Sequence, residues 1–355
     1  MEGKKNTVSM MENNVEGKEE KVEDNDKIDH STEEKEKAEA EKKARKAASN
    51  KILKRMVLVY VFYTLLMILF SFLRQQVEGS FGENATPARL VQLFSTITTV
   101  FLFVGFAVYI FEVPFASFFQ RSDRPVLHYG IGFLQGFVLF SVLVGINVAR
   151  GTIRFEGVGS LHPLLLLLFL VGFMLQSYSE ELMMRGFVQR LLLERFGLWI
   201  ALFAPSVGFG LLHLGNPHVS LLPIISTIFI GLAFALQTFL TGDLWMSSGL
   251  HCAWNFFMGA FYGLPVSGMA FSESAIRFSL HEDGLWTGGA YGMEASLLAT
   301  VVIVLFTAML FYRFIRSGVY HSYREPGSNE RLLRYVGVAT KEMKTTSDNA
   351  IDDIV

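Results

Sequence analysis

From residue 56 onward the chain is written in long apolar runs separated by short polar breaks. Eight runs stand out, at residues 56–73, 90–111, 126–148, 164–194, 198–214, 221–240, 244–264 and 295–312. Their lengths suit the roughly 20 residues an α-helix needs to cross a bilayer core, and none alternates in the manner of a strand. The pattern predicts an all-α polytopic membrane protein of about eight transmembrane helices. Pro114 is expected to end the second helix. Gly197 is expected to turn the fourth into the fifth, because glycine accepts the left-handed conformation that closes a helix. Residues 265–294, rich in Gly, Ser and acidic side chains and carrying Trp286, read as an external loop with interfacial contact. No short-period repeat is present, which excludes solenoids and propellers.

Charge divides the chain into three regions. Residues 1–50 hold 14 acidic and 11 basic side chains and almost no large apolar residue. Such a segment cannot bury enough surface to offset its ordering entropy, so a disordered charged tail is expected. Residues 51–318 form the membrane domain, and 319–355 a second polar tail. Lys42, Lys43, Arg45, Lys46, Lys51, Lys54 and Arg55 precede the first run, and Arg313, Arg316, Arg324, Arg331 and Arg334 follow the last. Basic clusters collect on the cytoplasmic side, so both termini are expected there, in the plasma membrane of a bacterium. Arg190 and Arg195 agree with that orientation; Arg150 and Arg154 fit it poorly. A formal net charge of -2 gives no sign of a nucleic-acid partner. The single cysteine, Cys252, excludes an intramolecular disulfide and reads as a small apolar helix residue.

Polar side chains inside the apolar runs are the informative feature. Glu180, Glu181 and Arg185 lie together in the fourth run. An ionisable group at membrane depth costs from roughly 2.5 to over 10 kcal/mol and persists where it is paired or lines a wet cavity. Phe209 and His213 in the fifth run, and His251 and Asn255 in the seventh, are each four apart and share a helix face. Glu181 and Arg185 stand in the favourable i, i+4 order and are read as a pair, which leaves Glu180 to face a cavity. Burial raises a carboxyl pKa toward the range useful for general-base work. His128 and His218 are read as interfacial and loop residues. Glu180 and His213 lie nearly equally far from the Gly197 turn, hence at one level about 24 Å from it. His251, about 13 Å from the next turn, meets them if the hairpin tip stands about 10 Å proud of the membrane. That arrangement opens the cavity toward the cytoplasmic half of the bilayer.

Read together as E-E-x-x-x-R, F-x-x-x-H and H-x-x-x-N, these three motifs resemble the CPBP intramembrane endopeptidases. That is the CAAX-protease and bacteriocin-processing group, which includes the type II CAAX prenyl proteases. The resemblance covers residues 172–255 and implies an eight-helix fold with a conical cavity and proteolysis inside it. Carried over by motif, Glu180 activates water with support from His213, while His251 and Asn255 stabilise the oxyanion and Arg185 holds the carboxylate geometry. The implied partners are the lipid bilayer and a membrane-associated protein or peptide substrate. No cofactor is expected. Zinc held by Glu180, His213 and His251 is the alternative, since one Glu and two His form a familiar catalytic set, although the H-E-x-x-H helix pattern is absent. A non-enzymatic immunity or scaffold protein that binds a peptide, and a transporter using Glu180 for proton coupling, are the readings from other classes.

Overall fold

The computed structural model describes residues 86–111, 122–280 and 284–322, with shorter stretches between 39 and 82. Most of the expected tails, 1–50 and 319–355, lie outside the described residues; of the first expected helix, 56–73, the thirteen described residues are all helical. From residue 86 the elements are α1 (Thr86–Phe111), α2 (Pro125–Arg150), β1 (Ile153–Val158) and α3 (Pro163–Glu181). The last of these runs on through a π-helical stretch, Leu182–Gln189, into α4 (Arg190–Phe196). There follow α5 (Leu198–Leu212), α6 (Leu221–Thr241), α7 (Trp245–Phe256), β2 (Ile276–Leu280), α8 (Leu297–Arg316) and α9 (Gly318–Ser322).

Six helical stretches among the described residues are long and apolar enough to cross a membrane. They correspond to the second, third, fourth, fifth, sixth and eighth expected runs. The seventh run is instead the twelve-residue α7 followed by a π turn, Phe257–Phe261. It sits inside the bundle, with every residue from Ser247 to Phe256 buried. α6 is the other enclosed helix, buried from Gly231 to Phe239. The surrounding helices turn Leu164, Leu167, Val142 and Leu305 outward, the apolar exterior a lipid solvent calls for.

Close backbone contact locks α7 in place. A Cβ on Gly249 would lie 2.2 Å from the Tyr129 carbonyl oxygen, and one on Gly132 would lie 1.9 Å from that of Met246. Only glycine lets α2 and α7 approach this far, as small residues do where helices associate in membranes.

Ser206 abuts Gly231, and the Gln189 side chain donates to the Ala235 carbonyl at 3.3 Å, so α5 and the π-helical stretch both pack on the enclosed α6.

The segment between α7 and α8 is also more structured than a plain external loop. Its strand β2 pairs antiparallel with β1. Phe271 packs on Phe169 and Phe173, and the Thr86 hydroxyl donates to Glu273 at 2.6 Å.

Candidate active site

Three elements meet behind the motif residues. Arg185 and Glu181 are wholly buried, both side chains at 0% exposure, and are paired at 3.1 Å between Nη1 and Oε1. Burial of two charges is tolerable only when further hydrogen bonds satisfy them. Arg185 Nη2 donates to the Gly231 carbonyl at 2.8 Å, and the guanidinium lies over the rings of Phe209 (4.7 Å) and Phe234 (5.2 Å). Glycine at 231 makes the room, since a Cβ there would lie 3.1 Å from Nη2 and 3.3 Å from the Phe209 ring.

The expected Glu181–Arg185 pair is thus present, and it does more than anchor a helix. Glu181 Oε1 also accepts from His251 Nδ1–H at 3.2 Å. This fixes the imidazole so that Nε2 points the other way, at Glu180 Oε2, 3.8 Å distant. That separation is an ion-pair contact, longer than a hydrogen bond. Phe234 stacks on the same imidazole, 5.0 Å between centroids and 20° from parallel. His251 therefore stands between two adjacent carboxylates, bonded to one and facing the other.

Glu180 is the accessible member, its side chain 26% exposed. Gln176, one turn earlier, donates to its Oε1 at 3.0 Å and holds the carboxylate's direction. Asn255 follows His251 by one turn, is buried, and makes no hydrogen bond to a described residue. Its amide is a free donor on the His251 face. The π-helical stretches begin directly after Glu181 and directly after Phe256. Such widened turns concentrate at functional positions.

His213 joins the group indirectly. Its Nδ1–H donates to the Phe209 carbonyl at 2.8 Å, and the Phe209 ring lies 4.9 Å from the His213 ring and 6.0 Å from that of His251. No direct hydrogen bond links His213 to Glu180 or His251 among the described residues. His213 is partly exposed and keeps Nε2 uncommitted.

Among the described residues no three His, Cys, Asp or Glu side chains form a group that could hold a metal ion. Both Nδ1 atoms are engaged, which leaves the Nε2 atoms of His213 and His251 for the site. His128, expected at an interface, pairs with Asp243 at 2.6 Å beside the α6–α7 turn, and His218 lies in the loop after α5 as expected. Cys252 is buried and plays no part.

Gln176 escaped the sequence reading although its i, i+4 spacing to Glu180 was the available signal. Glu181 as the partner of His251 carried no such signal, because the two are 70 residues apart.

Residues 162–257 match the family described as type II CAAX prenyl endopeptidase Rce1-like. The match is consistent with the CPBP resemblance and contains all seven motif residues named above. No curated protein and no solved structure matches the chain.

Proposed function

We propose that this chain, whose central segment is of the type II CAAX prenyl endopeptidase kind, is an intramembrane endopeptidase that cuts a membrane-associated protein or peptide with a glutamate-activated water. The observation that carries the reading is His251 held between Glu181 and Glu180, at 3.2 and 3.8 Å. A structural ion pair needs only the first contact. The second leaves an accessible carboxylate beside an oriented imidazole and an unengaged amide.

In this mechanism Glu180 accepts a proton from water as the oxygen attacks the scissile carbonyl, and His213 holds the water. The developing oxyanion takes donors from His251 and from the Asn255 amide. Glu181 stabilises the positive charge on His251 that donation requires, as a carboxylate behind an imidazole does. Collapse of the tetrahedral intermediate breaks the C–N bond, and the proton on Glu180 passes to the leaving amine. Removing one oxyanion donor costs about 2.7 to 4 kcal/mol of transition-state stabilisation, which sets the scale expected for Asn255→Ala.

The test is Glu180→Gln in the full chain. A farnesylated peptide ending in a C-a-a-X sequence serves as first probe, and membrane peptides from cells carrying the two forms are compared for other substrates. Loss of cleavage with unchanged expression and thermal stability is expected. Turnover retained by Glu180→Gln would refute the assignment. Phenotypic activity preserved in a Glu180→Gln, His213→Ala double mutant would favour the non-enzymatic binding protein.

A further inference from the structure

A glutamine one turn ahead of the proposed base lies outside all three motifs, and its two polar atoms are treated very differently by their surroundings. Gln176 Nε2 donates to Glu180 Oε1 at 3.0 Å. A carboxylate accepts hydrogen bonds and donates none, so the amide must turn its nitrogen to Glu180 and its oxygen elsewhere. That oxygen, Gln176 Oε1, is enclosed and has no hydrogen-bond partner among the described residues. An enclosed acceptor without a donor lowers stability. Methionine, of nearly the same length, would avoid that loss and would also suit a membrane-spanning helix. Among the described residues the amide's one hydrogen bond is to Glu180, so the benefit that offsets the enclosed oxygen lies in what Gln176 does to that carboxylate.

The effect is to make the two oxygens of Glu180 unequal. Oε1 is occupied by the Gln176 donor, whereas Oε2 faces His251 Nε2 across 3.8 Å, too far for a hydrogen bond between them. A proton on Oε1 would set an O–H against the Gln176 N–H and force the amide to turn over. A proton on Oε2 meets no such conflict. The geometry points to Gln176 as a positioning residue that makes Oε2 of Glu180 the oxygen which takes and returns the proton. In the first step a water O–H bond breaks, its hydrogen moves to Oε2, and its oxygen bonds to the scissile carbonyl carbon. When the C–N bond breaks, the same proton passes from Oε2 to the leaving nitrogen. Without Gln176 the carboxylate turns about its terminal bond, a soft torsion, and captures the proton on either oxygen. This inference rests on the endopeptidase reading for its chemistry; the contact between Gln176 and Glu180 does not.

The experiment uses the full chain, in lipid nanodiscs for turnover and in mixed micelles for SDS unfolding, with Q176M, E180Q and the double mutant. Methionine keeps the length of the side chain and removes both polar atoms. In Q176M kcat should fall about ten- to hundredfold, the scale of a reacting group misplaced by about 1 Å, with KM little changed because the substitution acts on the base. The unfolding equilibrium constant should stay within about threefold of wild type or move toward the folded side, since the enclosed acceptor is gone. A residue kept for structure alone would give the reverse, lost stability with unchanged kcat. In the E180Q background the same change should alter any residual rate by less than about twofold, because it works through Glu180. The contact itself is read without turnover: a hydrogen bond to a carboxylate is stronger than one to an amide, so the Q176M, E180Q cycle in SDS unfolding should show a coupling of about threefold or more.

Full kcat in Q176M, a loss of stability above about tenfold in the unfolding constant, or the absence of coupling would each overturn the assignment. Wild-type protein without turnover on any peptide would instead sink the endopeptidase reading and the proton step with it, and coupling in the cycle would then mark the contact as structural. Should Q176M not yield monodisperse protein, Q176L removes the same two polar atoms and is judged by the same outcomes.

Discussion

Arg185→Met isolates the buried charge pair that underlies the site. Arg185 and Glu181 are both fully enclosed, so removing the guanidinium leaves a carboxylate away from water with His251 as its remaining partner. Breaking a buried pair from one side costs about 3 to 5 kcal/mol, whereas replacing both members by groups of similar shape is often close to neutral. Loss of the ring contacts with Phe209 and Phe234 adds about 0.5 to 2 kcal/mol. Because His251 still bonds to Glu181, the lower part of that range applies, and a loss of about 3 to 4 kcal/mol is expected for Arg185→Met. Glu181→Gln combined with Arg185→Met should cost clearly less than the sum of the two single changes. The four tryptophans provide a fluorescence signal for SDS titration of the protein in mixed micelles, from which unfolding free energies and the coupling term follow. A loss below about 1 kcal/mol for Arg185→Met, or strict additivity in the double mutant, would refute the claim that this pair is a coupled, desolvated unit.

Gly231→Ala pushes a methyl against Arg185 Nη2 and the Phe209 ring at 3.1 and 3.3 Å; a loss of about 1 to 3 kcal/mol is expected in the same titration, with reduced turnover. Gly249→Ala places its Cβ 2.2 Å from the Tyr129 carbonyl, backbone that cannot yield, so the α2–α7 contact should fail and the yield of folded protein in size-exclusion chromatography should collapse. Exhaustive chelation should leave peptide cleavage intact, whereas loss restored by zinc alone would return the metalloprotease reading. Single cysteines introduced at Gly197 and at Ser220, with Cys252 replaced by Ala, should react with an impermeant maleimide from opposite faces of the membrane; labelling of both from one face would contradict α5 as a crossing helix.

Apolar run length made most of the spanning helices legible, because lipid imposes one requirement on every crossing segment and leaves it visible in composition. α7 was readable as a helix but not as an interior one. Its enclosure comes from glycines at 132, 136 and 249 that admit backbone contact, and glycine in a membrane run carries no mark of what will approach it. The motif residues were legible for the converse reason: a charge among apolar neighbours needs an explanation. Glu181–Arg185 followed from local spacing. The contact of His251 with both carboxylates did not, since its distance in sequence hides it. The acceptor role of Glu294, which takes a hydrogen bond from the Ser267 hydroxyl at 2.8 Å, was not legible, because an acidic side chain in a polar stretch is unremarked.

The depth of the site is where arithmetic along single helices is least informative. Placing Glu180, His213 and His251 at one level requires the hairpin tip to project by about 10 Å. Glu181 stands about 24 Å along its helix from Gly197 and His251 about 14 Å from Gly242, yet their side chains meet at 3.2 Å, which on straight parallel helices asks for that offset. Ser206 against Gly231 and Gln189 against Ala235 ask for almost none. The two sets of contacts agree only if the helices cross at an angle, so a depth counted along one does not transfer to its neighbour. Phe209 ties the motif residues together across that crossing, touching Arg185, His213 and His251 at once.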